Sequence, residues 1–326
     1  MYFLYLNDKC IYTNTRFINK SKTVVGSIAP IRFGNIEIPA VSSATDSSFN
    51  ISLCKLFSEF LERNIIGVHY KSEKRILTYD LLNCELDYLP ASDFSYGEEG
   101  KYNCVDTTGS AAGNNSYDVI NKAISELIEK NELFLFWYCK KGKLIENNIF
   151  IQKILFNYGL AEFENFLFMS NNLSNWPTVI YVSFNNKAIV TTGICCAKKL
   201  SDAIEGAICE GKTLRVLDVL KHPNTDNRMK LEVYNFIRNY TSESKTVNQN
   251  LKRTLIHDLK IADWIDDLYI GLFDSSIHGK VVTVSSNSLI KCIPNNENLA
   301  FCRNTHIVKK NIGDFSHITE VDCVIL

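Results

Sequence analysis

Neither sign of charge dominates this sequence. There are 35 basic residues against 36 acidic ones, a formal net charge of −1, so no electrostatic excess points to a nucleic acid or an anionic membrane as partner. No run reaches the eighteen or so apolar residues that a membrane span requires. The opening "MYFLYLNDKC" lacks the basic start, apolar length and small-residue cleavage site of a secretory signal. The 11 cysteines are odd in number, scattered and free of any CxxC. Reduced thiols in a cytoplasmic protein are the expectation. The 6 histidines show no metal-ligand spacing. No G-K-[ST] completes a Walker A loop, and no dinucleotide fingerprint is present. The common sequence routes to a nucleotide or a metal are therefore missing.

What is present is ample material for a core: 46% of the residues are apolar, with 19 Phe and 15 Tyr. "YFLYLN" and "NIEIPAV" read as short strands. Leu53, Leu56, Phe57, Phe60 and Leu61 fall at helical spacing and predict an amphipathic helix over 51–65. "IIGVHY" and "KRILTYDLL" read as strands. A helix is expected from about Asp118 into "NELFLFWY", a second over 147–169 and a third from about Ser201. "WPTVIYVSFNNKAIVTTG" reads as a hairpin turning at Asn185-Asn186. Residues 225–270 look mostly helical, and "KVVTVSSNSL" and "EVDCVIL" return to strand alternation. No low-complexity linker interrupts the chain. The reading is one mixed α/β domain over residues 1–326, with β-sheets flanked by helices.

One pattern is written twice. "TTGSAAGNNSYDVINKAISELIEK" begins at Thr107, and "TTGICCAKKLSDAIEGAICEGKTL" begins at Thr191, 84 positions later (191 − 107). In each copy a strand is expected to end at Thr-Thr-Gly, a small-residue loop to follow, and an acid to open the helix: Asp118, then Ser201-Asp202. Wound as a helix, the first copy gathers Val119, Ile120, Ala123, Ile124 and Leu127 on one side, within less than half a turn. Glu126, Lys122, Glu129 and Asp118 form a polar stripe next to it. Within that stripe Glu126 borders the apolar face most closely, and Glu210 takes the same place in the second copy. In the 51–65 helix, Glu59 and Glu62 match Glu126 and Glu129. Asp118, Lys122 and Glu126 could be only an i,i+4 ladder on a wet face. Three helices with a glutamate in one register also suit a divalent cation carrying a polyphosphate, because hard cations take carboxylate oxygen. The loop "GSAAGNN" would offer backbone N–H groups and Asn114 to a phosphate.

At these residues the chain resembles the YcaO family. "KLFSEFLERN" is similar to the family's first E-x-x-E-R helix. "DTTGSAAGNNSYDVINKAISELIEKNELFLFWY" is similar to its central block, and "TTGICCAKKLSDAIEGAICEGKTLR" to its third helix; together they span about residues 42–220. The resemblance implies ATP and Mg2+ bound through acids between helices. Glu59, Glu62 and Arg63 would take nucleotide and metal positions, Asn114 and Asp118 those of the loop, and Glu126, Glu129 and Glu210 the remaining acids. Metal ligands would be Glu59, Glu62, Glu126, Glu129 and Glu210, with Arg63 and Arg215 as catalytic arginines. The implied activity is ATP-dependent cyclodehydration of a ribosomally made precursor peptide, giving thiazoline or oxazoline rings from Cys, Ser or Thr. Thioamide or amidine formation, or a non-catalytic scaffold role, are the alternatives. A ThiF-like leader-peptide-binding partner is implied, with a flavin-dependent dehydrogenase in some systems, and a homodimer is compatible. The sequence departs from the family at Lys130, where an arginine is common, and at Thr213, which replaces a glutamine. It closes on "HITEVDCVIL" rather than on a proline-rich tail.

Overall fold

The structure is a computed structural model that describes residues 2–7, 21–27, 31–33, 36–38, 41–72, 75–94, 106–221, 231–243, 246–247, 259–273, 279–312 and 321–325. Its architecture is mixed α/β. The first sheet joins β1 (Tyr2–Asn7), β2 (Lys22–Ser27) and β5 (Val41–Asp46), with a small hairpin of β3 (Ile31–Phe33) and β4 (Ile36–Ile38). A second sheet has the order β7 (Glu85–Pro90), β6 (Arg75–Asp80), β14 (Tyr269–Phe273), β15 (Lys280–Ser285), β8 (Ser110–Gly113). The third has the order β12 (Ala188–Cys196), β11 (Thr178–Asn185), β10 (Glu164–Ser170), β9 (Lys143–Ile145), β13 (Thr246–Val247). The helices are α1 (Phe49–Ser72), α2 (Ser116–Cys139), α3 (Ile149–Asn157), α4 (Leu200–Lys221), α5 (Leu231–Glu243), α6 (Asn296–Phe301) and α7 (His306–Asn311).

The third sheet is buried on both faces, which explains why "TVIYVSF" carries no polar alternation. Phe166, Phe168, Ile180, Val182 and Phe184 share a core with Ala123, Leu127, Phe134 and Phe136 of α2. Their neighbours Leu167, Val179 and Tyr181 point the other way, onto Ile151 and Leu155 of α3 and Ala203, Ile204, Ala207 and Ile208 of α4. The period of two assigns alternate side chains to opposite cores. The α2 core also includes Ala111 of β8 and Val282 and Val284 of β15, so α2 lies between two five-stranded sheets. That explains a helix whose residues Leu133 through Tyr138 are all buried.

On the other face, α4 approaches β12 unusually closely. A Cβ at Gly193 would stand 2.1 Å from the Ala207 carbonyl oxygen and 2.7 Å from the Gly211 nitrogen. Both obstacles are backbone, so no side chain can turn away to make room. Gly193→Ala is expected to lower stability by about 2 kcal/mol, as overpacking of a filled core does. Chemical denaturation of the two proteins measures it, and an unchanged midpoint would show that the two backbones can separate without loss.

Several elements differ from the sequence reading. "IIGVHY" is not a strand: α1 runs on to Ser72, with Ile65 and Ile66 buried on its inner face, so packing overrides the β-branched preference. The helix expected over 147–169 stops at Asn157, and β10 follows. "SAAG", read as loop, is β8, and Thr191-Thr192-Gly193 lies within β12 rather than at its end. The hairpin turn sits at Asn186 and Lys187, both with positive φ. Of 225–270 only α5 is helical among the described residues, and Val321–Ile325 form no strand. The rest of 222–258 outside α5 and β13 lies outside the described residues. α2 and α4 nonetheless start 84 residues apart (200 − 116), as the repeated segments do.

Candidate functional site

Three helices bring their acids to two strand edges. β5 and β12 are each the last strand of their sheet, so some of their backbone N–H groups need acceptors from outside it. Glutamates supply them. Ser43 N donates to Glu59 Oε2 at 3.0 Å, Cys196 N donates to Glu129 Oε2 at 3.1 Å, and Ile194 N donates to a Glu210 oxygen. Arg63 braces this edge further, donating to Glu59 and, at 2.6 Å, to the Val41 carbonyl.

Glu62 and Glu126 are different. No described residue donates a hydrogen bond to either carboxylate. Burial pushes the Glu62 carboxyl up to about 8, with Glu59 adding to the effect and Lys122 and Arg63 opposing it. Burial, then the neighbouring charge of Glu62, holds Glu126 well above the usual carboxylate range. Glu210 is pushed up to about 7 by burial and by Glu129 and Glu59, against Lys130 and the Ile194 N–H. Glu59 and Glu129 are raised for the same first reason. The five acids therefore sense one another's charge. Glu132, also buried on α2, shows what a purely structural carboxylate receives in this fold: Ser170 Oγ at 2.6 Å, Asn172 Nδ2 at 3.0 Å and the Leu173 N–H all donate to it. Glu62 and Glu126 have no such company.

Two lysines balance this cluster. The sequence marked Lys130 only as a departure from an arginine and Lys122 only as a member of the acidic stripe. Lys130 is buried and its Nζ lies 3.3 Å from Glu129 Oε1. Burial disfavours its charged form, yet the charges of Glu129, Glu210, Glu126 and Asp106 more than offset that and hold its proton more firmly than usual. Lys122 faces Glu59, Glu62, Glu126 and Glu129. The anchoring N–H groups carried no sequence signal, because every residue but proline supplies one.

Other expected site residues stand apart. Asn114 and Asp118 are exposed at the head of α2, and Asp118 precedes Glu126 by eight residues, about 12 Å of axial rise. The helix cap is Asn115, whose side chain accepts from Tyr117 N and Asp118 N, not Asp118 itself. Arg215 pairs with Asp218 at 3.9 Å. Thr213 Oγ1 lies 2.7 Å from Thr45 Oγ1 and 3.1 Å from the Cys209 carbonyl, fastening α4 to β5. Cys195 is half-buried and Cys196 buried, both as thiols, with burial raising each.

Among the described residues, no three His, Cys, Asp or Glu side chains converge tightly enough to hold a metal alone. The five glutamates are not a ready-made cage, so a cation between them needs further oxygens from whatever it carries. Mg2+ is bound in this manner, through one or two carboxylates plus phosphate oxygens.

The family model described as YcaO cyclodehydratase, ATP- and Mg2+-binding, matches residues 40–268. The chain belongs to the YcaO family. No curated protein sequence matches it. Among solved structures, a YcaO from Methanopyrus kandleri bound with AMPPCP and Mg2+ is similar at a TM-score of 0.65 and 12% identity, covering 89% of this chain and 86% of that one. The E. coli microcin synthetase McbBCD complex is similar at 0.59 and 14% identity, covering 86% and 91%. A heterocyclase in complex with substrate and cofactor is similar at 0.63 and 12% identity, covering 99% of this chain but 55% of that one. At such identities the likeness is one of fold, and it gives this YcaO chain its mixed α/β architecture. No helix among its described residues is long and apolar enough to cross a membrane.

Proposed function

We propose that this YcaO chain is an ATP-dependent, Mg2+-requiring peptide cyclodehydratase. The observation that carries the reading is the bare Glu62–Glu126 pair. Two carboxylates without donors among the described residues, Glu62 buried and Glu126 half-buried, repel each other and cost stability unless a cation or a proton stands between them. They fit Mg2+ holding a triphosphate, with Glu59, Glu129 and Glu210 behind them. Bound there, the ion would neutralise phosphate charge.

The reaction that suits this set of residues needs no protein nucleophile. A Cys, Ser or Thr side chain of the substrate peptide adds to the preceding backbone carbonyl and loses its proton. The oxyanion takes the γ-phosphoryl group of ATP, releasing ADP. Departure of phosphate with loss of the amide proton leaves the azoline ring. The task of the chain's own residues is to position and to balance charge. Glu59 and Arg63 fix the α1 side through Ser43 and Val41, Lys130 holds Glu129 and Glu210 in register, and Asn114 and Asp118 serve at the α2 head. Precursor-peptide substrate and partner proteins accord with the relatives, one of which is a synthetase complex and another a heterocyclase with substrate bound.

Phosphate release from Mg2+–ATP and the mass of a precursor peptide encoded near the gene test this. Loss of about 18 Da per ring supports cyclodehydration, and a gain of about 16 Da would replace it with thioamide formation by the same activation. A chain that neither binds nor hydrolyses ATP would be a scaffold.

A further inference from the structure

Lys291 is a buried lysine for which the described residues supply no hydrogen-bond acceptor. It is 2% exposed, and its Nζ has no partner among the described residues. The nearest relief is the face of Phe94, 4.7 Å from Nζ to the ring centre. Among the described residues, the charged and titratable groups facing it are Asp93, Asp106 and Cys292. Both Asp106 oxygens are engaged by backbone, Oδ1 by Thr108 N at 2.7 Å and Oδ2 by Ile293 N at 2.8 Å. A lysine so placed is a poor packing choice, because desolvation penalises its ammonium and an apolar side chain would fill the space at less cost. Burial pushes it down to about 7.

Its position gives the anomaly a use. Asn131 of α2 donates to the Ile290 carbonyl and accepts from Ile290 N, both at 2.9 Å. The backbone beside Lys291 is thereby pinned to α2 two residues beyond Glu129, about 3 Å of axial rise. The charge of Asp106 acts on Lys291 and also on Lys130, which pairs with Glu129 and feels the charge of Glu210. Charge coupling thus links the glutamates to Lys291 through Lys130 and Asp106.

We propose that Lys291 is a proton-uptake site linked to nucleotide binding: its buried, unpartnered amine takes a proton from solvent when the net-negative Mg2+–triphosphate arrives. The inference rests on the nucleotide reading above and adds its regulation by pH. No bond to carbon or phosphorus changes; the neutral amine gains one proton, becoming an ammonium, and the buffer loses it. Lys291 acts through its charge and is a positioning residue.

The test needs no peptide. Mg2+–ATP is titrated calorimetrically into wild type and Lys291→Met in buffers of different ionisation enthalpy, at about pH 7.5, and the dependence on buffer gives the protons exchanged. If binding raises the pKa of the amine by about one, wild type takes up about half a proton more than the variant. It also binds about tenfold more tightly below pH 7, with the difference closing above pH 8. Any protons released by the glutamates appear in both proteins and cancel. Lys291→Met should melt no lower than wild type, and Lys291→Gln runs beside it should the thioether disturb packing. Equal proton exchange in wild type and variant, or an affinity difference constant with pH, overturns the proposal. Absence of any nucleotide heat in wild type would instead remove the nucleotide reading itself.

Discussion

Glu126→Gln should abolish nucleotide use while leaving the protein folded and more heat-stable. The amide keeps the shape of the carboxylate but not its charge. In the free protein this removes a half-buried carboxyl whose charged form is opposed first by burial and then by the neighbouring charge of Glu62, and Glu62 is relieved in turn. With Mg2+–ATP present, the same change would delete the charged oxygen that the proposed site offers to the ion. Loss of one charge-assisted contact in a water-poor site costs about 100-fold or more in phosphate release. The measurement pairs a melting curve with Mg2+–ATP titration and hydrolysis. A ladder residue on a wet face predicts a slightly lower melting point and no change in nucleotide binding. That outcome would reject the site.

The free protein should lose stability as the pH rises from about 5.5 to about 7.5. Glu62 is held up at about 8 and Glu210 at about 7 in the folded state, both above the 4.5 of an unhindered glutamate. A folded state that holds protons the unfolded chain has released is favoured at low pH. The contribution is fully present below about 4.5 and is lost as the pH rises through 7 and 8. A pKa displaced by one is worth about 1.4 kcal/mol, so the two acids together change stability by several kcal/mol. Lys291, held down at about 7, works the other way above that pH, because the unfolded chain keeps a proton the folded one has released. Most of the fall therefore comes before about pH 7.5. At the acid end the trend reverses, because Asp46 and Asp80 are held lower than usual by their hydrogen bonds, with Lys55 assisting Asp46, despite burial. Urea midpoints at three pH values give the slope. Saturating Mg2+–ATP should flatten it, since a bound cation replaces the protons. A free protein equally stable at both ends of this window would mean that the acids are solvated rather than buried together.

The glutamate register was legible because a helix maps sequence spacing onto one face. Glu126 at the border of the apolar stripe, Glu210 at the matching place in the second copy and the Glu59–Glu62 pair could be read from helical position alone. What could not be read was which acids are satisfied. That depends on β5 and β12 being edge strands with N–H groups turned toward α1, α2 and α4, and edge position is set by the order of strands in space. The same limit explains the misread elements. "EFENFLFMS" is apolar on both sides, and helix and doubly buried strand share that composition. Ile65 and Ile66 favour strand by themselves, but packing beneath the second sheet keeps them helical.

Lys291 marks the far end of legibility. In the string "SLIKCIP" it resembles any surface lysine, and only the closure of Asn131 over Ile290 and the approach of Phe94 reveal that it is buried with no acceptor among the described residues. By itself the sequence determined the helices that carry the acids and the face each acid takes, because those follow from the fixed number of residues in a helical turn. Only the tertiary structure decided which carboxylates keep a donor and which are left bare, because desolvation and the supply of N–H groups belong to neighbours that are distant along the chain.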